Sequence, residues 1–379
     1  MLTLESDVKR VVIKVGSSSL NNPLGGLDDQ AIAEVSSVIS TLQQQGVECI
    51  LVTSGAVAVG MGQLGLSLRP NDLPGRQALA AVGQGMLIER YARKFEEHGV
   101  VGAQILLTRV DLALASHYRN AQNTIEKLLR LGIVPIINEN DTVAVEELCF
   151  GDNDTLSALV SGLVGADLLV IVTDVDGLYS ANPKIDPLAQ LIKEVPEVSA
   201  VESMAGGAGS LIGTGGMVTK LRAAKIATSF GIGMLLLNFT RIRELLNMTE
   251  GHRAEGTYFL PASHGLASRK RWIAYASFVE GSIQIDDGAA KALVEEGKSL
   301  LAIGIVSAEG VWERKEIVRI VDMLGEEIAR GVCELSSAEV QEVKGLHSEM
   351  ILVLVPDFEG EVVVHRDNMT LMGDTCIEI

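Results

Sequence analysis

The first 240 residues alternate between short apolar runs and longer stretches in which apolar positions recur every three or four residues. Runs at 10–15 (RVVIKV), 48–53 (ECILVT), 101–107, 133–138, 168–173 (LLVIVT) and 231–238 have the length and branched-residue content of strands. Between them, residues 28–45 place Ile32, Val35, Val38, Ile39 and Leu42 on one helical face. Residues 77–97, 121–131 and 156–164 read as further helices, as does a segment through Leu221, Ala224, Lys225 and Thr228. This β-α-β alternation predicts an α/β domain: an open, mostly parallel, doubly wound sheet flanked by helices. The pattern changes beyond residue 260. Residues 249–271 are turn-rich, polar and then basic, and mark the boundary. After them come short strand patterns at 272–278, 282–285, 299–306 and 316–320, one helix at 287–296, and late strand patterns at 351–354 and 361–365. The expected division is a first domain over 1–260, a small β-rich domain over 272–356 and a tail over 357–379.

Polar residues gather where the apolar runs stop, above all between 134 and 183. The run 133–138 leads into Asn138, Glu139, Asn140 and Asp141, and the run 168–173 into Asp174, Asp176 and Gly177. Between them Gly151, Asp152, Asn153 and Asp154 open a helical pattern. Asn, Asp and Gly punctuate ordinary βα turns. Ligands, however, bind past the carboxyl ends of strands in open α/β sheets, and three such loops within fifty residues favour a site.

Two lysines stand out. Lys14 interrupts an apolar strand just before Gly16 and three serines. A lone buried ammonium is costly, so Lys14 either aims out of the strand end at an anion or lies solvated on an edge strand. Lys220 ends the glycine-bearing run GTGGMVTK (213–220) and enters the first turn of the next helix. Glycine-rich backbone at a helix N-terminus is an anion-binding arrangement. A cation there opposes the helix dipole, so Lys220 has another task or sits in a solvated flexible loop. No GxxxxGK[ST] run occurs.

Composition narrows the choice. The 379 residues carry 49 acidic and 31 basic side chains, a net charge of −18, which disfavours surface-wide binding to nucleic acid or anionic membrane. Cys49, Cys149, Cys333 and Cys376 are scattered without a metal or disulfide spacing, and the six histidines form no zinc motif. Acidic residues Glu5 and Asp7 precede the first strand in place of a leader pattern, and no apolar run approaches the ~20 residues of a membrane span. The expected location is the cytoplasm.

Two lysines on glycine- and serine-bearing loops, with acids and amides from the middle of the chain, suit phosphoryl transfer. That reaction depends on positioning and charge neutralisation. No general base is evident. A carboxylate acceptor, with a pKa of ~4, needs none at neutral pH. Its obstacle is repulsion between anions, which lysines and a metal ion relieve.

At these residues the sequence resembles the amino-acid kinase superfamily and, within it, the glutamate 5-kinase family. The matching runs are VVIKVGSSSL (11–20), VTSGAVAVGM (52–61), VGQ (82–84), VPIINENDTV (134–143), FGDNDTLSA (150–158), TDVDGLY (173–179) and GTGGMVTK (213–220). NENDTV together with FGDNDTLSA is specific to the family, whereas the last two runs indicate the superfamily only. The resemblance implies ATP-dependent phosphorylation of the L-glutamate γ-carboxylate with Mg²⁺, the first step of proline synthesis, feedback inhibition by proline, and a homo-oligomer. It implies that Lys14 and Lys220 stabilise the transferring phosphoryl group while Asp154 holds both lysines. Ser54, Asp141 and Asn153 are then expected to bind glutamate. Thr173, Asp174 and the segment Thr214, Gly215, Gly216, Met217, Val218, Thr219 and Lys220 are expected, with Lys14, to bind ATP. Metal ligands are not specified.

Residues 272–356 resemble a PUA domain through Trp272, GSIQIDDGAAKAL (281–293) and GKSLLAIGI (297–305). PUA domains elsewhere bind RNA. This one holds 15 acidic against 7 basic residues, which favours a structural or regulatory role. His365, Arg366 and Asp367 are read as a turn. Two other readings stay open: a kinase of the same superfamily with another acceptor, and an RNA-binding or regulatory protein on a silent kinase fold. The intact NENDTV and FGDNDTLSA runs weigh against the first. The presence of Lys14, Asp154 and Lys220 weighs against the second.

Overall fold

The computed structural model describes residues 8–20, 27–144, 152–183, 185–201, 215–250, 254–262, 270, 272–276, 278–358 and 360–372. The chain forms two compact units. The first comprises Met1–Leu112 and Ser116–Gly265, the second Ala113–Ala115 and Leu266–Ile379.

The first unit is built on strands β1 (Arg10–Val15), β2 (Glu48–Val52), β3 (Gly102–Leu107), β4 (Val134–Glu139), β5 (Leu168–Thr173), β8 (Glu194–Val195), β9 (Gly233–Asn238) and β10 (Gly256–Phe259). They lie in the order β3-β4-β2-β1-β5-β9-β10-β8. Neighbours are parallel from β3 to β9, and β10 runs antiparallel to β9. Leu178–Tyr179 (β6) and Leu191–Ile192 (β7) form a separate hairpin. The flanking helices are α1 (Asp29–Gln44), α2 (Ala56–Gln63), α3 (Leu73–Glu96), α4 (Ala115–Arg130), α5 (Asn153–Val164) and α6 (Gly215–Ser229).

Strand periodicity sorts β1 between two layers. Val11, Ile13 and Val15 join a core with Ile32, Val35 and Ile39 of α1. Val12 and Lys14 face the other way. Helix α5 is buried along almost its whole length, and its serines Ser157 and Ser161 donate their hydroxyls to the carbonyls of Asp154 and Ser157. Asp152 caps its N-terminus, accepting from Thr155 N at 2.7 Å. Gly165, at φ 61°, ends it in the left-handed conformation. Helices α2 and α3 meet through glycines. A Cβ on Gly60 would lie 2.0 Å from the Leu79 carbonyl oxygen, and one on Gly83 would lie 1.9 Å from that of Ala56. Gly83 therefore serves close packing, whereas Gly85 meets nothing within 4 Å.

The second unit is a five-stranded sheet ordered β12 (Ile305–Gly310), β11 (Gly281–Ile285), β13 (Ile317–Val321), β14 (Glu327–Cys333) and β15 (Val364–Leu371). Trp312, Ile283, Ile320 and Val340 belong to its core. Several sequence expectations change here. The expected strand at 272–278 is a π-helical turn over Trp272–Ala276, and Arg330 Nη1 donates to the Ala274 carbonyl in place of a ladder partner. The run at 299–306 is broken by a 3₁₀ turn, Ala302–Gly304: Leu300 makes a single bridge to Val364, and a continuous strand starts only at Ile305. The apolar run at 351–354 ends a helix, Ser348–Leu354; four apolar residues are too few to separate strand from helix. His365, Arg366 and Asp367 lie in β15, not in a turn. Strand β14 and the helix Ser337–Val343 were not anticipated, although Ser336 and Glu339 form a capping box legible as S-x-x-E.

Candidate active site

The carboxyl ends of the parallel strands carry the polar groups, as the sheet topology favours. Lys14 sits near the end of β1, the fourth of eight strands and hydrogen-bonded on both sides. The edge-strand alternative therefore fails, and Lys14 is only 7% exposed. Its side chain meets α5. There Asp154, 3% exposed, occupies the second position of the helix. Lys14 Nζ lies 2.6 Å from Asp154 Oδ1, an ionic contact. On the other oxygen, Lys220 Nζ donates to Asp154 Oδ2 at 3.1 Å and Thr219 Oγ1 donates to it at 2.9 Å. Lys220 also donates to the Gly216 carbonyl at 3.2 Å.

One carboxylate thus holds two ammonium groups from distant parts of the chain. Burial pushes the Asp154 carboxyl up, but Lys14 and Lys220 outweigh it and hold the group below the usual carboxylate range. Gly16 stands against this cluster, for a Cβ there would lie 3.3 Å from Lys14 Nζ. Lys220 is the sixth residue of α6, not in its first turn as the sequence reading had it. Gly215 and Gly216 are themselves helical, which moves the helix start back and lets Lys220 fold onto its own first turn.

A second cluster lies one residue away. Asn153, at the start of α5, donates through Nδ2 toward Thr53 O at 2.7 Å, Ser54 Oγ at 2.7 Å and Asn138 Oδ1 at 2.9 Å. Its Oδ1 is buried and takes no hydrogen bond from the described residues. Asn138, the penultimate residue of β4, is 2% exposed and donates to Gln84 Oε1 at 2.7 Å. Ser54 is placed by the turn after β2, where Gly55 adopts φ 108° and leads into α2. Asp141 follows β4. Burial raises its carboxyl above the usual range, with Arg69 opposing. Asp152 is likewise raised by burial. Successive residues of α5 therefore serve two clusters, Asn153 one and Asp154 the other.

A third feature is a cavity of about 320 Å³ whose lining includes Thr173, Asp174, Tyr179, Asn182, Met217 and Lys220. Thr173 Oγ1 donates to Asp174 Oδ1 at 3.1 Å. Of the residues singled out in the sequence, Lys14, Asp154 and Lys220 meet in one cluster, Ser54 and Asn153 in the next, and Thr173, Asp174, Gly216, Met217 and Lys220 around the cavity. Gly215 and Val218 belong to the first turn of α6. Thr214 lies outside the described residues. Sequence reading left Gln84 and Tyr179 without a role. It placed Asn138 in the polar cluster but gave it no task, although an amide at the end of an apolar strand is a signal.

Among the described residues no group of three or more His, Cys, Asp or Glu side chains gathers as a metal cage, and no helix is long and apolar enough to cross a membrane.

Comparison with known proteins adds independent evidence. Residues 9–238 match the amino acid kinase family, and residues 281–353 match the PUA domain. A glutamate 5-kinase of Desulfitobacterium hafniense is 64% identical over 367 residues, covering 97% of this chain and 99% of that protein. A glutamate 5-kinase of Trichlorobacter lovleyi is 50% identical over 370 residues, covering 97% and 98%. One of Moorella thermoacetica is 46% identical over 372 residues, covering 97% of each.

Proposed function

Since the chain belongs to the amino acid kinase family, and within it to the glutamate 5-kinases, we propose that it transfers the γ-phosphoryl group of ATP to the γ-carboxylate of L-glutamate. The products are γ-glutamyl phosphate and ADP, and the step opens proline biosynthesis. The observation that carries this reading is the buried Lys14 and the half-buried Lys220 on one carboxylate, with an amide and hydroxyl cluster on the adjacent residue.

Glutamate occupies the side of Ser54, Asp141 and Asn153. Asp141 faces the α-ammonium group, and the free Oδ1 of Asn153 accepts from it. Ser54 contacts a carboxylate. ATP occupies the cavity at Thr173 and Asp174, with Gly216, Met217 and Lys220 along its phosphates. A carboxylate oxygen then attacks the γ-phosphorus and the bond to the ADP oxygen breaks. No proton has to be removed, because the acceptor is already ionised. Lys14 and Lys220 offset the charge that spreads over the phosphoryl oxygens. Asp154 keeps both ammonium groups in place and stays ionised.

Mg²⁺ fits this donor set as an ion carried on the ATP phosphates, since such sites need only one or two protein carboxylates. Asp174, which lines the same cavity as Lys220, would supply one directly or through water. When bound, the ion neutralises phosphate charge. We further infer that the protein is cytoplasmic, acts as a homo-oligomer and is inhibited by proline overlapping the glutamate position. The kinase domain runs to about residue 260. The acidic PUA domain over 272–356, followed by a tail to 379, serves structure or regulation.

The test is ADP release from ATP and Mg²⁺ with L-glutamate, set against aspartate, N-acetylglutamate, carbamate and UMP, with proline added to a parallel glutamate series. Turnover with glutamate alone, suppressed by proline, is the expected result. Turnover with a different acceptor would overturn the substrate assignment.

A further inference from the structure

Resting on that phosphoryl-transfer reading, we propose that the Thr219 side chain is a positioning residue: its hydroxyl, 2.9 Å from Asp154 Oδ2, fixes the carboxylate that spaces the two lysines and does not bind nucleotide.

Thr219 Oγ1 has one hydrogen to donate and two acceptors within reach, Asp154 Oδ2 at 2.9 Å and the Gly216 carbonyl at 3.0 Å. A helical threonine ordinarily bonds back to a carbonyl three or four residues earlier. Here the competing acceptor is closer and ionised, and charge-assisted hydrogen bonds are the stronger kind. The Gly216 carbonyl meanwhile accepts from Lys220 Nζ at 3.2 Å. Giving the threonine hydrogen to Asp154 therefore leaves that carbonyl to the lysine. Lys220 then spends two of its three hydrogens on Asp154 and Gly216, and the third remains for a phosphoryl oxygen.

Asp154 contacts Lys14 at 2.6 Å and Lys220 at 3.1 Å, and removing the hydroxyl would leave that asymmetry unopposed. The carboxylate would drift toward Lys14 and release Lys220. A neutral donor prevents this without adding positive charge that would compete with the lysines. Thr219 also ties α6 to the first turn of α5, where the neighbouring Asn153 holds Ser54. The bonds of Asn153 do not pass through Asp154, so glutamate binding should be indifferent to Thr219.

The experiment compares full-length wild type, Thr219→Val, which keeps the shape and removes the hydroxyl, and Thr219→Ser, which restores it. Initial rates of ADP release give kcat and both KM values, and calorimetric titration with ATP and Mg²⁺ gives nucleotide affinity without any acceptor. Loss of one hydrogen bond to a charged group predicts a kcat about tenfold to a hundredfold lower for Thr219→Val. ATP affinity and both KM values should stay within about threefold, and Thr219→Ser should recover most of kcat. A Thr219→Val enzyme with kcat within twofold of wild type overturns the proposal. So does a loss of ATP affinity as large as the loss of kcat, which would make Thr219 a nucleotide ligand. Equal damage from Thr219→Ser also overturns it, by pointing to the methyl group. A wild type inert toward glutamate but active on another acceptor would overturn the substrate assignment alone. The comparison of kcat would then be made on that acceptor, and the ATP titration stands in every case.

Discussion

Replacing Asp154 by Asn removes the charge between Lys14 and Lys220 while keeping the side chain's shape. In the fold the side chains involved are 4% (Asp154), 8% (Lys14) and 14% (Lys220) exposed, so water screens them little. Breaking a buried ion pair by removing one partner costs about 3–5 kcal/mol, because the other charge is left uncompensated. Here two cations lose the same anion, which places the cost toward the upper end. For a domain of this size each kcal/mol moves the midpoint by about 2–4 °C, so the melting temperature should fall by roughly 6–20 °C. ATP carries negative charge to the same place, so saturating ATP with Mg²⁺ should raise the midpoint of the variant more than that of the wild type. The chemistry should suffer as well. Losing one preorganised donor typically costs about 10²–10³-fold in kcat, and both lysines lose their fixed positions here. The assays are thermal melts with and without ATP, and ADP release at a temperature where the variant is folded. An Asp154→Asn protein that melts within about 2 °C of wild type and keeps kcat within tenfold would refute the idea that this carboxylate holds the lysines.

Three further outcomes follow from the same geometry. Lys220→Ala should lower kcat far more than it raises the glutamate KM, since its ammonium sits with Asp154 and not with the Asn153 cluster; equal effects would contradict the division. Burial raises the Asp141 carboxyl, with Arg69 opposing, so it takes up a proton above the usual carboxylate range as pH falls. kcat/KM for glutamate should therefore decline before kcat does, because Asp154 is held low and stays ionised. Asp141→Asn should flatten that early decline, and a decline unchanged by it would point to another group. Gly83→Ala puts a Cβ 1.9 Å from the Ala56 carbonyl and must part α2 from α3, a cost of at least about 1–3 kcal/mol read as a lower urea midpoint. Gly85→Ala, with nothing within 4 Å, should be neutral or slightly stabilising in the same titration.

The alternation of apolar runs and helical periodicities was enough to place the parallel strands β1 to β5 and β9 of the first unit. It did not place the short strands β8 and β10 at one edge of the sheet, the latter a buried strand inside the expected boundary segment 249–271. Strands β1 and β5 coincide with the expected runs, and β2, β3, β4, β9 and α1 differ by one or two residues at an end. Such segments are long or strongly periodic, so local pattern and tertiary burial agree. In the second unit the runs are short, and pattern alone failed. Val353 and Leu354 fall in a helix, and Trp272 and Ile273 in a π-helical turn. Four or five apolar residues satisfy either period, and only packing chooses.

The site divides the same way. Residue type and position already singled out Lys14, Lys220 and the polar loop holding Asn153 and Asp154, because a lysine in an apolar strand and acids gathered near strand ends have few cheap alternatives; the family resemblance added Ser54 and the separate roles. What the sequence could not decide is who touches whom. Asp154 lies 140 residues from Lys14 and 66 from Lys220, and the sheet order sets α5 over β1 so that one carboxylate meets both. Gln84 reaches Asn138 only because α3 packs back on β3, the neighbour of β4, and Thr219 turns to Asp154 only because α6 begins at Gly215, ahead of the start its sequence implied. Composition and periodicity act along the chain. Hydrogen-bond partnership depends on distances of a few ångströms between segments far apart in it, and those exist only once the layers have packed.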